Sequence, residues 1–174
     1  MKKIIIIPLV SLTVCLAFCS KNSIEVSPNN LSACQANSQC SYLFSDQADV
    51  DSFHRVQSGA HRLFWFKDER NLGGCQLIST LWIKAPLNKN AFLLDTKDIA
   101  NGLVSYSQLC ICCTLIGVKS IGGYVKGINT NPEKSSDQTK WLIEAEIVLA
   151  TIHSSKPIDT LYIKQYFYPN FVYN

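Results

Sequence analysis

The sequence has no run of basic residues, and only 17% of its 174 residues are charged. Its formal net charge is +3, and Lys2 and Lys3 at the N-terminus account for two of the positive charges. Proteins that bind nucleic acid normally carry a concentrated basic surface, which neutralises several phosphates at once. The composition therefore argues against nucleic acid as a partner.

Motifs of the common catalytic sites are missing as well. The sequence contains no Gly-x-Ser-x-Gly nucleophile turn and no Gly-x-x-x-x-Gly-Lys phosphate loop. Its three histidines, at positions 54, 61 and 153, do not have the spacing of a zinc site. Glu144 and Glu146 would lie about 7 Å apart on one face of a strand, but such pairs usually form a solvated face. We therefore predict that the chain is not an enzyme and needs no cofactor.

The N-terminus carries a short apolar run, from Ile4 to Phe18. A membrane-spanning helix needs about 20 apolar residues, so this run is too short to be one. Lys2 and Lys3 precede the run, as they do in secretory signal peptides, but no Ala-x-Ala cleavage site follows it. The run instead ends in Leu16-Ala17-Phe18-Cys19 and a polar stretch.

Leu16, Ala17 and Cys19 resemble the end of a bacterial lipoprotein signal peptide, whose cysteine becomes the acylated first residue of the mature chain. With the strand-rich sequence that follows, the chain resembles the uncharacterised lipoproteins of Bacteroidetes-type bacteria. The resemblance implies acylation of Cys19 and a membrane anchor in the cell envelope, expected at the outer membrane, and no established activity. An ordinary signal peptide, with Cys19 incidental, is the alternative. We divide the chain into a signal peptide (1–18), a flexible tether (19–32) and a folded domain (33–174).

Six cysteines remain in that domain, and in an exported chain an even number favours disulfides. Cys34 and Cys40 are close enough in sequence to pair with each other, whereas Cys75 must reach a distant partner. The cluster of Cys110, Cys112 and Cys113 is the obvious candidate. An alternative is that these last three hold a soft metal, Cu(I) or Zn(II), as thiolates.

Alternating hydrophobicity predicts a mainly β fold. From Trp141 to Thr151 apolar residues alternate with Glu144 and Glu146, which is typical of a strand with one wet face. Similar patterns predict strands at 60–67, 75–85, 91–95, 121–128 and 159–168, a buried central strand at 102–115, and a loop or short helix at 45–58. Closely spaced strands without a long amphipathic helix indicate an antiparallel β-sandwich in a single domain.

The last predicted strand is rich in aromatic residues, and four of its side chains share one face: Tyr162, Lys164, Tyr166 and Tyr168. Exposed aromatic rings bind sugars and proteins, so this face is a candidate site for a protein or glycan partner. Packing within the sheet is the competing interpretation. Together these features predict a non-catalytic binding or assembly module of the cell envelope, and a thiol-dependent metal-binding protein is the alternative.

Overall fold

The computed structural model describes residues 24–170, so the predicted signal peptide, Cys19 and the last four residues lie outside it. These described residues fold into nine strands and one short helix. The strands are β1 (Ser38–Val50), β2 (Val56–Ser58), β3 (His61–Asn71), β4 (Gln76–Pro86), β5 (Ala91–Leu94), β6 (Val104–Cys110), β7 (Val118–Asn129), β8 (Trp141–Thr151) and β9 (Pro157–Pro169), with helix α1 (Thr96–Ala100) between β5 and β6. The prediction of a mainly β fold is confirmed.

The strands form one mixed sheet in the order β5-β7-β8-β9-β1-β3-β4-β6, and β2 pairs with β1. All pairs are antiparallel except β1 with β9, which pair in parallel only where Leu43 meets Tyr168 and Phe44 meets Pro169. This parallel contact, which the all-antiparallel prediction lacked, joins two halves of the sheet. We call β1, β2, β3, β4 and β6 the first half, and β5, β7, β8 and β9 the second half.

Side chains of both halves meet in one hydrophobic core. The ring of Phe64 in β3 lies 5.4 Å from that of Trp141 in β8 and 5.8 Å from that of Phe167 in β9. Trp141 is completely buried, and Trp65 and Trp82 are buried in a smaller cluster on the opposite face of the first half. The shared core makes the two halves a single domain.

Strand β8 shows why the sequence pattern works in the second half. Trp141, Ile143, Ala145 and Ile147 point into the core, whereas Glu146 is exposed. Strand β7 pairs along the whole of β8 except for one register shift between Ser120 and Gly122. Next to it, Gly123 has a φ of +112°, and an added Cβ would collide with the carbonyl oxygen of Glu146. Only glycine fits this bulge.

Two of the expected elements differ from the structure. The segment 45–58 forms neither a loop nor a helix throughout, because β1 continues to Val50 and turns into β2. The segment 102–115 is not a buried central strand, because β6 ends at Cys110 and pairs with β4 alone among the described strands. Its apolar residues Leu109 and Ile111 are 59% and 74% exposed. Helix α1, which the sequence pattern missed, begins at an Asp95–Asp98 capping box.

The second part of the predicted flexible tether is held against the second half. Val26 is buried, and the backbone N–H of Ser32 donates to the carbonyl oxygen of Lys164 at 2.7 Å. The N–H of Lys164 donates in turn to the Ser32 hydroxyl at 2.8 Å. Residues that precede the predicted domain boundary at Ala33 therefore already pack against the sheet. Among the described residues, no helix is long and apolar enough to cross a membrane.

Candidate functional site

Three cysteine pairs lie at disulfide distance, and each brings distant or neighbouring chain segments together. Cys34 pairs with Cys40, Cys75 with Cys112, and Cys110 with Cys113, at Cα–Cα distances of 5.8, 5.7 and 5.5 Å. These pairs fit the expected disulfides, including the bond from Cys75 to the distant cluster. Because Cys40 follows the start of β1, Cys75 precedes β4 and Cys110 ends β6, the pairs lie at the ends of first-half strands.

Near those ends the inner face of the first half changes from apolar to polar. Along β3 the inward side chains are Phe64, Phe66 and then Asp68, and along β4 Leu81 is followed by Ser79 towards the same end. The change occurs where β9 is no longer paired with β1. A cavity of about 100 Å³ lies there between the two halves, and we call it the inter-half cavity.

Asp68 is the central polar group of the inter-half cavity. The residue is only 4% exposed, and its Oδ2 accepts a hydrogen bond from Nε of Arg70 at 2.7 Å. Its Oδ1 is buried and has no partner among the described residues. A buried acceptor that loses its hydrogen bond to water costs about 1–3 kcal/mol, so this oxygen needs a donor that the described protein groups do not supply.

Residues with hydroxyl groups line the same cavity as Asp68, among them Tyr42, Ser79 and Tyr106. Burial raises the pKa of Tyr42, and the negative charge of Asp68 raises it further, so the phenol keeps its proton as a donor. Nε2 of Gln108 donates to the Tyr106 hydroxyl at 2.9 Å and to the Ser79 hydroxyl at 3.4 Å.

Tyr162 and Arg70 connect the cavity with solvent. Tyr162 lines the cavity and is 50% exposed, and the Arg70 side chain is 34% exposed. Ser32 and Ala33, from the segment that covers the gap beside β9, also line it. The site therefore combines a buried carboxylate, hydroxyl groups and aromatic rings at a partly open end of the domain.

The predicted aromatic face on β9 is divided in the structure. Tyr168 is 51% exposed like Tyr162, but Lys164 is only 8% exposed and its Nζ lies 3.1 Å from Oε2 of Glu144. Lys164 is therefore paired within the sheet and does not share an exposed face with Tyr162 and Tyr168 as the sequence analysis expected. Tyr166 is half-buried, and Nζ of Lys140 lies 4.3 Å from its ring centre.

Glu144 is paired with Lys164 and Tyr124, and this environment distinguishes it from Glu146, with which the sequence analysis had grouped it. Burial acts to raise the pKa of Glu144, but hydrogen bonds from Lys164 and Tyr124 outweigh it and hold the pKa below the ordinary value of 4.5. Burial and the hydrogen bond to Glu144, 3.0 Å long, raise the pKa of Tyr124 to about 12. Glu146 is exposed on this face. The pair therefore does not present two equivalent free carboxylates.

The sequence interpretation missed Asp68, Tyr42 and Tyr106. A signal was available, because Asp68 continues the inward alternation of Phe64 and Phe66, and a charged residue in that register needs a buried partner. Arg70, two residues further, supplies one such partner. The spacing of residues in the sequence does not show the gap beside β9. This gap leaves a cavity that these side chains line.

The fold and this site define a mainly β, single-domain protein with three cysteine pairs among its described residues and a polar cavity between its two halves. No family model, curated protein or solved structure matches the chain.

Proposed function

We propose that the chain is a non-catalytic binding protein of the cell envelope, anchored through an acylated Cys19, which binds a glycan at the inter-half cavity. The observation that carries the proposal is the partnerless Oδ1 of Asp68, buried in the cavity wall. Buried polar atoms are nearly always hydrogen-bonded, and a hydrogen-bond donor of the ligand would give this oxygen the partner it lacks.

The mixture of donors and acceptors supports a hydroxyl-rich ligand. Oδ1 of Asp68 accepts, and the guanidinium of Arg70 has five N–H donors, of which Asp68 engages two groups. The hydroxyls of Tyr42 and Ser79 do both, as sugar hydroxyls do. A bare cation is disfavoured because Arg70 already balances the charge of Asp68.

The size of the inter-half cavity is suited to one edge of a single sugar unit, not to a whole oligosaccharide. The volume of about 100 Å³ is small, while the exposed ring of Tyr162 lies at the cavity and can contact the C–H face of a sugar outside it. In this arrangement the hydroxyls of one sugar reach Asp68, and the rest of the glycan extends over the rim.

Binding to immobilised glycans tests the proposal with the full chain in detergent. The glycans that bind the wild-type protein are then used as ligands for the variants. We expect Asp68→Ala to weaken their binding about 10- to 100-fold, since a hydrogen bond to a charged group contributes roughly 1.5–3 kcal/mol. Ser79→Ala, which removes one small hydroxyl, should weaken it less. Isothermal titration calorimetry with the same glycan in solution measures the affinity of each variant.

Asp159→Ala is the matched control, because Asp159 is an exposed carboxylate on β9 outside the cavity lining. Its affinity should equal that of the wild type. Melting curves identify any variant that has lost its fold. The glycan assignment is wrong if no sugar binds the wild type, or if Asp68→Ala and Ser79→Ala, both folded, bind as tightly as Asp159→Ala.

Membrane anchoring is tested separately by acyl labelling in a bacterial host. Cys19→Ser should abolish incorporation of an alkyne-tagged fatty acid and release the protein from the membrane fraction, because each buried methylene contributes about 0.8 kcal/mol to anchoring. Cys15, the other cysteine near the N-terminus, lies inside the apolar run and is not the predicted acylation site. Cys15→Ser is therefore the matched control and should keep both the label and the membrane association. Equal labelling of the wild type and Cys19→Ser would contradict the anchor.

A further inference from the structure

Four of the cysteines lie together at the ends of β4 and β6. Cys75 and Cys112 form one pair and Cys110 and Cys113 another, and Sγ of Cys75 lies only 3.4 Å from Sγ of Cys110. The sulfurs of Cys75, Cys110 and Cys113 are all within 4.8 Å of one another. We call these four residues the four-cysteine cluster.

Strand pairing holds this cluster together independently of the sulfur bonds. In the β4–β6 ladder Leu77 pairs with Cys110 and Ile78 with Leu109, so Cys75 projects past the end of β6 towards Cys112. Cys112 and Cys113 are exposed and belong to the segment 111–117, which has no regular secondary structure. Their sulfurs can therefore move by an ångström or two without opening the core.

We propose that the four cysteines, when both disulfides are reduced, bind one zinc ion as four thiolates. Zn–S bonds of about 2.3 Å in a tetrahedron place the sulfurs about 3.8 Å apart. The sulfurs of Cys75 and Cys110 are 3.4 Å apart, and these two and that of Cys113 lie within 4.8 Å of one another, so the three separations are close to that value. Cys112 is brought to the same place by its pairing with Cys75. Cys75 supplies the fourth ligand, which the spacing of Cys110, Cys112 and Cys113 alone did not provide.

The chemistry balances with an external dithiol as reductant. Each disulfide takes two electrons and two protons and becomes two thiols, while the dithiol is oxidised to its own disulfide. Zinc then displaces four protons from the four thiols and forms a complex with a net charge of −2. Four sulfur ligands in a tetrahedron are the geometry that zinc prefers in closed sites.

The cysteines near Asp68 provide a comparison within the same chain. Sγ of Cys34 and Cys40 and a carboxylate oxygen of Asp68 also lie within 4.8 Å of one another, but this group has only two sulfurs. It does not share a residue with the four-cysteine cluster. The zinc proposal is also independent of glycan binding, since none of the four cysteines lines the inter-half cavity.

The experiment uses the full chain in detergent, reduced with dithiothreitol, freed of reductant without oxygen and titrated with zinc against a chromophoric chelator. We expect one zinc at the cluster, confirmed by native mass spectrometry. Cys75→Ser should bind it more than about 100-fold more weakly, because loss of an outer-shell partner alone costs 10- to 100-fold. Cys34→Ser is the matched control and should keep the wild-type affinity.

Cobalt substitution gives a second readout in the wild type that does not depend on the folding of a variant. The reduced chain with Co(II) should show the intense thiolate-to-cobalt absorption and tetrahedral d–d bands of a four-sulfur site. Cys113→Ser, at an exposed position outside the strands, should weaken both. Absence of bound zinc and of the cobalt spectrum in the reduced wild type overturns the proposal, as does equal zinc affinity in Cys75→Ser and Cys34→Ser.

Discussion

Replacing Trp141 by alanine is expected to lower the free energy of unfolding by about 4 kcal/mol, the typical cost of a buried Trp→Ala change. Trp141 is fully buried, its ring lies 5.4 Å from Phe64 and 5.8 Å from Phe92, and the Arg62 guanidinium is 4.6 Å from the ring centre. Phe64 and Arg62 belong to the first half and Trp141 to the second, so the cavity left by this substitution would remove packing between the halves. Urea unfolding of the oxidised full chain in detergent measures the change.

Phe53→Ala is the control for this substitution, because Phe53 is 76% exposed. Its removal should change the free energy of unfolding by less than about 0.5 kcal/mol. Trp141→Phe should cost less than Trp141→Ala, since it keeps an aromatic ring and removes an indole N–H that has no partner among the described residues. A cost for Trp141→Ala no larger than that for Phe53→Ala would mean that the halves do not share this core.

Gly123→Ala is expected to destabilise the protein by about 3 kcal/mol. Two effects add up here, because alanine disfavours the positive φ of this residue and its methyl group would clash with the backbone of the neighbouring strand. The φ of Gly123 is +112°, and an added Cβ would overlap the carbonyl oxygen of Glu146 on the paired strand. The β7–β8 ladder would have to open locally to admit the methyl group. Thermal and urea unfolding followed by circular dichroism measure the loss.

Two other glycines separate the causes of this effect. Gly74 has a φ of +95° with nothing within 4 Å of an added Cβ, so Gly74→Ala should cost only the backbone strain, about 1 kcal/mol. Gly122 lacks a positive φ and would meet Thr96 at an ordinary contact distance of 3.4 Å, so Gly122→Ala should be close to neutral. If all three substitutions cost the same, the proposed clash with Glu146 is not the cause.

Much of the sheet could be predicted because its signal is local. In strand β8 every second residue from Trp141 to Leu149 is buried in the core, and the predicted bounds coincide with those observed. Strand β6 was misjudged because an apolar run does not reveal whether a strand has one neighbour or two. Only the sheet order places β6 at an edge, where Leu109 and Ile111 remain exposed.

The candidate site was only partly predictable for a related reason. Tyr162, Lys164, Tyr166 and Tyr168 do alternate on β9, but β8 supplies Glu144, which binds Lys164 and removes it from the surface. Asp68 is the converse case, because the sequence analysis gave it no role. The gap between β1 and β9 places it in the wall of the cavity, where its Oδ1 is buried without a partner among the described residues. Both outcomes depend on residues far away in the chain.

The mainly β class and the single domain can be derived from the amino-acid sequence, because strand alternation is a property of consecutive residues. Only the three-dimensional arrangement shows that a parallel β1–β9 contact joins the two halves, that Val26 and Ser32 pack on the second half, and that Cys75 pairs with Cys112 beside a Cys110–Cys113 pair. These features arise from contacts between residues that are dozens of positions apart. Backbone pairing and side-chain packing select them together, and no short stretch of the sequence specifies them.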